Sequence, residues 1–203
     1  PVLDSNQKVI AYEIVFKDSF EEKSASAILN LSAEEISSDL EFFEESSLAD
    51  GKKIFINFNY ELIKKEIPAL LSKDKIGIEI SESVNLEPEV IEKIEKLKKA
   101  GHLIILNNFN VSKNENPLLQ HADIIKLDYN KSTKEQHQQL EYLKANYSSL
   151  KFIAKNINEH QEFKAAKNAG FDYFQGVFFT KADEIKNGGT PGYKVNYLNL
   201  LKE

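Results

Sequence analysis

Short runs rich in β-branched and aromatic residues alternate with helix-period segments along nearly the whole chain, and that alternation points to βα units on a parallel sheet. The runs that read as strands are Val9–Lys17, Ile54–Phe58, Ile76–Ile80, Leu103–Asn107, Ile124–Leu127, Phe152–Ala154 and Tyr173–Gly176. Pro1-Val2-Leu3, followed by the turn-forming Asp4-Ser5-Asn6, reads as the tail of an eighth strand in a hairpin with Val9–Lys17. Eight strands with helices between them predict an α/β fold, a TIM-like (β/α)8 barrel with one antiparallel strand at its start.

Helix signals fill the gaps. Glu87-Pro88-Glu89 opens a helix with Pro and acid in its first turn, and Gly101 stops it after Lys98-Lys99-Ala100. Glu159–Ala169 is a second helix, closed by Gly170, and Tyr60–Leu71 and Thr133–Ala145 are two more. Ser24–Ser47 reads as one or two helices with only roughly periodic apolar positions. Residues 1–186 are read as one barrel. Residues 187–203 begin with Asn187-Gly188-Gly189-Thr190-Pro191-Gly192, a hinge, and continue as a short apolar helix over Val195–Leu201. A helix that short does not stand alone, so it is expected to lead into a further C-terminal domain; a start at Pro1 with no methionine anywhere fits a fragment.

Composition narrows the chemistry. All 26 basic residues are lysines, so no guanidinium fork is available for a phosphate, a carboxylate or a guanine edge. The net charge of -6 gives no electrostatic footprint for nucleic acid or an anionic membrane, and neither is expected as a partner. With no cysteine there are no disulfides, thiolate nucleophiles or Cys-held metals. No apolar run approaches the ~18 residues of a membrane span, and a cytoplasmic location is the expectation.

In a barrel of this kind the site lies where the strands end, and here those ends are polar. They read Asn57-Phe58-Asn59, Glu79-Ile80-Ser81-Glu82, Asn107-Asn108, Lys126-Leu127-Asp128, Lys155-Asn156 and Gln175-Gly176. Glu13 interrupts the apolar run Ala11–Phe16, where a charge is costly unless it meets a partner or a cavity. Singly, each reads as a strand-end cap or solvated residue. Together they predict one shared mouth.

These segments resemble the EAL domains that hydrolyse cyclic di-GMP. Tyr12-Glu13-Ile14-Val15-Phe16-Lys17 is similar to the segment that names the family, Phe55-Ile56-Asn57 to its strand-two motif, and Glu79-Ile80-Ser81-Glu82-Ser83 to Glu-Leu-Thr-Glu-Ser. Lys126-Leu127-Asp128 matches Lys-x-Asp, and Gln175-Gly176-Val177-Phe178-Phe179 resembles the Gln-Gly-Tyr segment. Asn116–Lys126 and Ala165–Gly176 look most like the subgroup in which an EAL-like domain precedes an HDOD domain, which makes an HDOD-like domain of the same chain the expected partner. A homodimer through the barrel is a further possibility the resemblance brings.

The resemblance implies hydrolysis assisted by two divalent ions, Mg²⁺ or Mn²⁺, which generate the nucleophile and neutralise the phosphate. It places family metal ligands at Glu13, Asn57 and Glu79, which are intact, and at Asn107, Asn108 and Asn158, where the family has carboxylates, and puts Lys155 where the family has a further glutamate. Two Asp-to-Asn changes (+2), one Glu-to-Lys (+2) and one Glu-to-Asn (+1) make this mouth five charge units more positive than the family pattern. An asparagine oxygen can coordinate a cation but cannot offset its charge or take a proton from water. Two metals are not expected. Lys155 is expected to bring its ammonium near Glu13 and Glu79 in a metal's place.

Lys17 stands where active relatives hold a phosphate with Arg, and Glu82 is a candidate anchor for the loop after strand four. Lys126 and Asp128 read as a buried ion pair at a strand end once no metal is there to engage them. The leading expectation is a catalytically degenerate EAL module for signalling or assembly, needing no cofactor. The alternatives are a metal-independent cyclic di-GMP receptor using Glu13, Lys17, Asn57 and Gln175, and a weak phosphodiesterase with one Mg²⁺ or Mn²⁺. A barrel lyase with Lys126 or Lys155 as Schiff-base amine is a remote fourth.

Overall fold

The computed structural model describes residues 1–14, 51–81, 84–107, 116–131 and 134–179. Among these residues, eight strands pair in chain order and close into a barrel. The strands are β1 (Val2–Asp4), β2 (Val9–Ile14), β3 (Lys53–Phe58), β4 (Ile76–Ser81), β5 (Leu103–Asn107), β6 (Ile124–Asp128), β7 (Lys151–Lys155) and β8 (Tyr173–Phe174). The described helices of five residues or more are α1 (Tyr60–Lys64), α2 (Pro88–Lys99), α3 (Lys134–Asn146) and α4 (His160–Asn168).

β2 to β8 run parallel, each beside the next. β1 is antiparallel to both β2 and β8 and closes the ring. The hairpin that reverses it is made by Asp4, whose Oδ1 accepts the amides of Asn6 at 2.8 Å and Lys8 at 2.9 Å, while Gln7 takes the left-handed φ of 62°. The expected TIM-like barrel with one antiparallel strand is therefore the observed architecture.

Strand alternation builds two cores. Val2, Ala11, Phe55, Ile105, Ile124 and Ile153 fill the barrel. The residues between them face outward, so Ile54, Ile56, Phe58, Ile78 and Ile80 pack under the helices together with Val90, Ile94 and Leu97, spaced on one face of α2. Gly77 makes room inside: a Cβ there would meet Phe55 Cδ1 at 2.7 Å and Ile105 Cδ1 at 3.1 Å.

Two aspartates fix the register at the amino ends of strands. Asp123, just before β6, accepts the Ile104 amide at 2.9 Å and pairs with Lys98. Asp172, just before β8, accepts the Phe152 amide at 3.0 Å and pairs with Lys151 at 3.0 Å. Each satisfies a strand amide that the ladder leaves open.

The expected helix over Tyr60–Leu71 is broken. It ends at Lys64, Glu66 adopts a left-handed φ of 60°, and Ile67–Leu70 forms a separate 3-10 turn. Pro68 is the cause, since its ring clashes with the carbonyl four residues back and offers no amide. The helix expected over Ser24–Ser47, the carboxyl end of the first long strand, the hinge and the terminal helix all lie outside the described residues.

Candidate functional site

Seven strands deliver one inward side chain each to the carboxyl end of the barrel, and all seven are polar. Two residues beyond the apolar inner layer on each strand come Glu13, Asn57, Glu79, Asn107, Lys126, Lys155 and, just past β8, Gln175. Sequence reasoning named every one of them. The same strand ends also offered Asn59, Ser81 and Asn156, which parity would have set apart. Asn59 is the N-cap of α1, accepting the Leu62 amide at 3.0 Å, and Asn156 lies in the left-handed region with its carbonyl taken by Asn130 Nδ2 at 2.9 Å.

Lys126 is the centre. Its side chain is wholly buried, and an ammonium there is tolerable only with partners. It donates to Glu79, also wholly buried, and lies 3.1 Å from Glu13 Oε1. The expected Lys126–Asp128 pair is thus replaced by pairs across the mouth, because β6 turns Lys126 toward β2 and β4. Asp128 instead accepts the Asn130 amide at 3.1 Å, and its charge lies close enough to Lys155 to favour that ammonium.

The rest of the layer is chained to this core. Gln175 donates its amide to Glu13 Oε2, leaving Gln175 Oε1 buried without a hydrogen-bond partner. Asn107, nearly buried, donates to Glu79 Oε2 at 3.2 Å and accepts from Lys155 Nζ at 3.3 Å. Asn57 stands beside Glu79 in the register and is exposed in the mouth. Asn158 is set apart: it is exposed, and its backbone amide is held by Glu162 Oε2 at 2.6 Å. Lys17, Glu82 and Asn108 lie outside the described residues.

Burial and charge pull the two carboxyls in different directions. For Glu79, burial dominates and Glu13 adds to it, so its pKa rises to about 7 although Lys126 opposes the shift. Burial also pushes Glu13 up, but the Lys126 charge and the bonds from Gln175 and Lys126 outweigh it and leave Glu13 below the ordinary carboxylate value. The layer therefore stabilises one full negative charge at Glu13 against Lys126. Lys155 is pulled below the ordinary lysine value by burial and by Lys126, against the pull of Asp128, Glu13 and Glu79.

Mg²⁺ and Mn²⁺ take carboxylate oxygens, several in one small space. Among the described residues no three His, Cys, Asp or Glu side chains converge in this way. Glu13 and Glu79 face the mouth with the Lys126 ammonium against both, and the Asn107 oxygen is turned to a second ammonium. Asn57 offers a neutral oxygen. No described helix is long and apolar enough to cross a membrane.

Comparison with known proteins agrees with this fold. Over its whole length the chain is 27% identical to the uncharacterized protein YuxH of Bacillus subtilis (strain 168), covering 51% of it. It is also 27% identical to the cyclic di-GMP phosphodiesterase CdgJ of Vibrio cholerae serotype O1, again over its whole length and covering 48% of that protein. The chain spans about half the length of the curated relatives it matches. The Bacillus subtilis YkuI protein, which has an EAL domain and was solved in complex with substrate c-di-GMP and calcium, shares the fold at a TM-score of 0.61 and 19% identity, over 87% of this chain and 51% of that one. Residues 43–182 match the EAL domain. With that match covering more than half of its length, the chain belongs to the EAL-domain family and resembles the family's cyclic di-GMP phosphodiesterases.

Proposed function

We propose that this chain is an EAL domain that does not hydrolyse cyclic di-GMP and serves as a signalling or assembly module beside a further domain of HDOD type. The observation that carries the reading is the Lys155 ammonium on Asn107 Oδ1, two positions at which the family pattern has carboxylates. Metal-assisted attack on a phosphodiester needs anionic oxygens to hold the ions and to generate hydroxide. Here the two surviving carboxylates, Glu13 and Glu79, have Lys126 as counter-ion, and the neighbouring positions are neutral or cationic. The relatives' greater length supports the second domain.

The test is turnover of cyclic di-GMP in Mg²⁺ and in Mn²⁺, with the linear dinucleotide read by chromatography. No product above the no-protein control is expected. Product that disappears in Glu13→Ala would establish the one-metal phosphodiesterase in its place.

A second reading rests on three groups of the polar layer. Asn57 is exposed, Lys155 is half-buried, and Gln175 Oε1 is an acceptor with no partner. These are groups a nucleotide could use without a metal, as a receptor for cyclic di-GMP. Calorimetric titration of cyclic di-GMP in EDTA separates the two, since a flat trace removes the receptor.

A further inference from the structure

We propose that Asn107 and Lys155 are a matched pair that adds a second resident cation to the mouth beside Lys126, so that the site closes around its own carboxylates without a divalent ion. The proposal rests on the non-hydrolysing reading and says what occupies the place of the metal. Its basis is the polarity of the Asn107 amide. The nitrogen donates to Glu79 Oε2 at 3.2 Å, and the oxygen accepts from Lys155 Nζ at 3.3 Å. One neutral side chain thus joins a carboxylate to an ammonium, with each end facing the group it complements.

Neither residue fits this arrangement in the other's absence. An aspartate at 107 would satisfy Lys155 but set a second carboxylate 3.2 Å from Glu79, a like-charge contact at a nearly buried position. An acidic residue at 155 would face the Asn107 oxygen with no proton to share. Gln175, Glu13, Lys126, Glu79, Asn107 and Lys155 therefore form one continuous chain of donors and acceptors across the barrel. Two lysines stand in it against two glutamates. A divalent ion entering this chain would have to displace Lys126 or face Lys155.

The consequence is a latent cation site. Replacing both members, Asn107→Asp with Lys155→Glu, places four carboxylates around Lys126 and makes uptake of a hard divalent ion favourable, because the number of charged ligands sets affinity. The experiment uses the full chain and Mn²⁺ as the probe, with free Mn²⁺ counted by electron paramagnetic resonance and unfolding followed in parallel with Mn²⁺ or EDTA. Wild type is expected to keep the same unfolding midpoint in both and to leave Mn²⁺ free. The double variant is expected to bind Mn²⁺ at least about tenfold more tightly than wild type and to gain thermal stability from it.

Wild-type Mn²⁺ binding that Glu79→Gln abolishes overturns the proposal, and so does a folded double variant that leaves Mn²⁺ free. Either result is distinct from failure of the non-hydrolysing reading, which only turnover of cyclic di-GMP can bring down. If the double variant does not fold, a cycle of Lys155→Gln and Glu79→Gln decides. The loss of stability caused by Lys155→Gln should shrink at least about twofold once Glu79 is neutral, since the two act through Asn107. Strict additivity refutes the coupling.

Discussion

The Lys126 ammonium and the Glu79 carboxyl touch each other with both side chains wholly removed from solvent, at the level where the barrel interior changes from apolar to polar. Truncating one partner of such a pair strands the other, whereas removing both leaves nothing uncompensated. Lys126→Met should therefore cost about 3–5 kcal/mol in urea unfolding, and Lys126→Met combined with Glu79→Gln distinctly less. Equal losses in the single and double variants would refute the pairing.

His102 opens β5 from a buried position, with Nδ1 unpartnered and the Lys73 and Lys53 ammoniums nearby. Burial and these two charges hold its pKa below the ordinary 6.5. Below pH 6.5 the unfolded chain takes up a proton that the folded chain refuses, so this contribution makes stability fall as pH drops through that value. The sign is that of a base with a depressed folded pKa. His102→Leu should be less sensitive to pH than wild type between about pH 7 and 5.5, as read from paired urea titrations. Identical pH profiles would show that His102 titrates as it does in the unfolded chain.

Gly176 sets where Gln175 points. A Cβ at Gly176 would lie 2.1 Å from the Ile157 carbonyl oxygen and 2.4 Å from its nitrogen, and both are backbone atoms that cannot swing away. The Ile157 amide in turn donates to the Gln175 carbonyl at 3.0 Å. Gly176→Ala should destabilise the fold by about 1–3 kcal/mol and detach Gln175 from Glu13. Thermal unfolding and a crystal structure of the variant check the two parts, and an unchanged midpoint would rule out the close approach.

Inside the barrel, Gly77 leaves the space that Phe55 fills. Gly77→Ala should cost about 1–3 kcal/mol by overpacking, and Gly77→Ala with Phe55→Leu should recover part of it. Denaturant midpoints of the three variants test this. No recovery in the pair would mean that Phe55 is not the atom set in the way.

The strand runs and the polar residues ending them were legible because a strand buried on both faces must be apolar until it reaches the mouth. Leu103–Asn107 was read to the residue. The break in the helix after Lys64 was signalled by Pro68 and overridden by the apolar periodicity around it. Asn59, Asn107 and Asn156 look alike in sequence, each a strand-end asparagine. One caps a helix, one bridges two charges and one turns the chain left-handed.

The sequence by itself determined the barrel, the family likeness and the seven polar residues of the mouth, since these follow from periodicity and residue type along each strand. Only the tertiary structure decided who meets whom. Lys126 and Asp128 are two residues apart and looked like partners, yet Lys126 spends its charge on Glu79 and Glu13, far away in sequence. Closure of the barrel brings those strands within reach of one another, and a buried ammonium takes the carboxylates that burial leaves it.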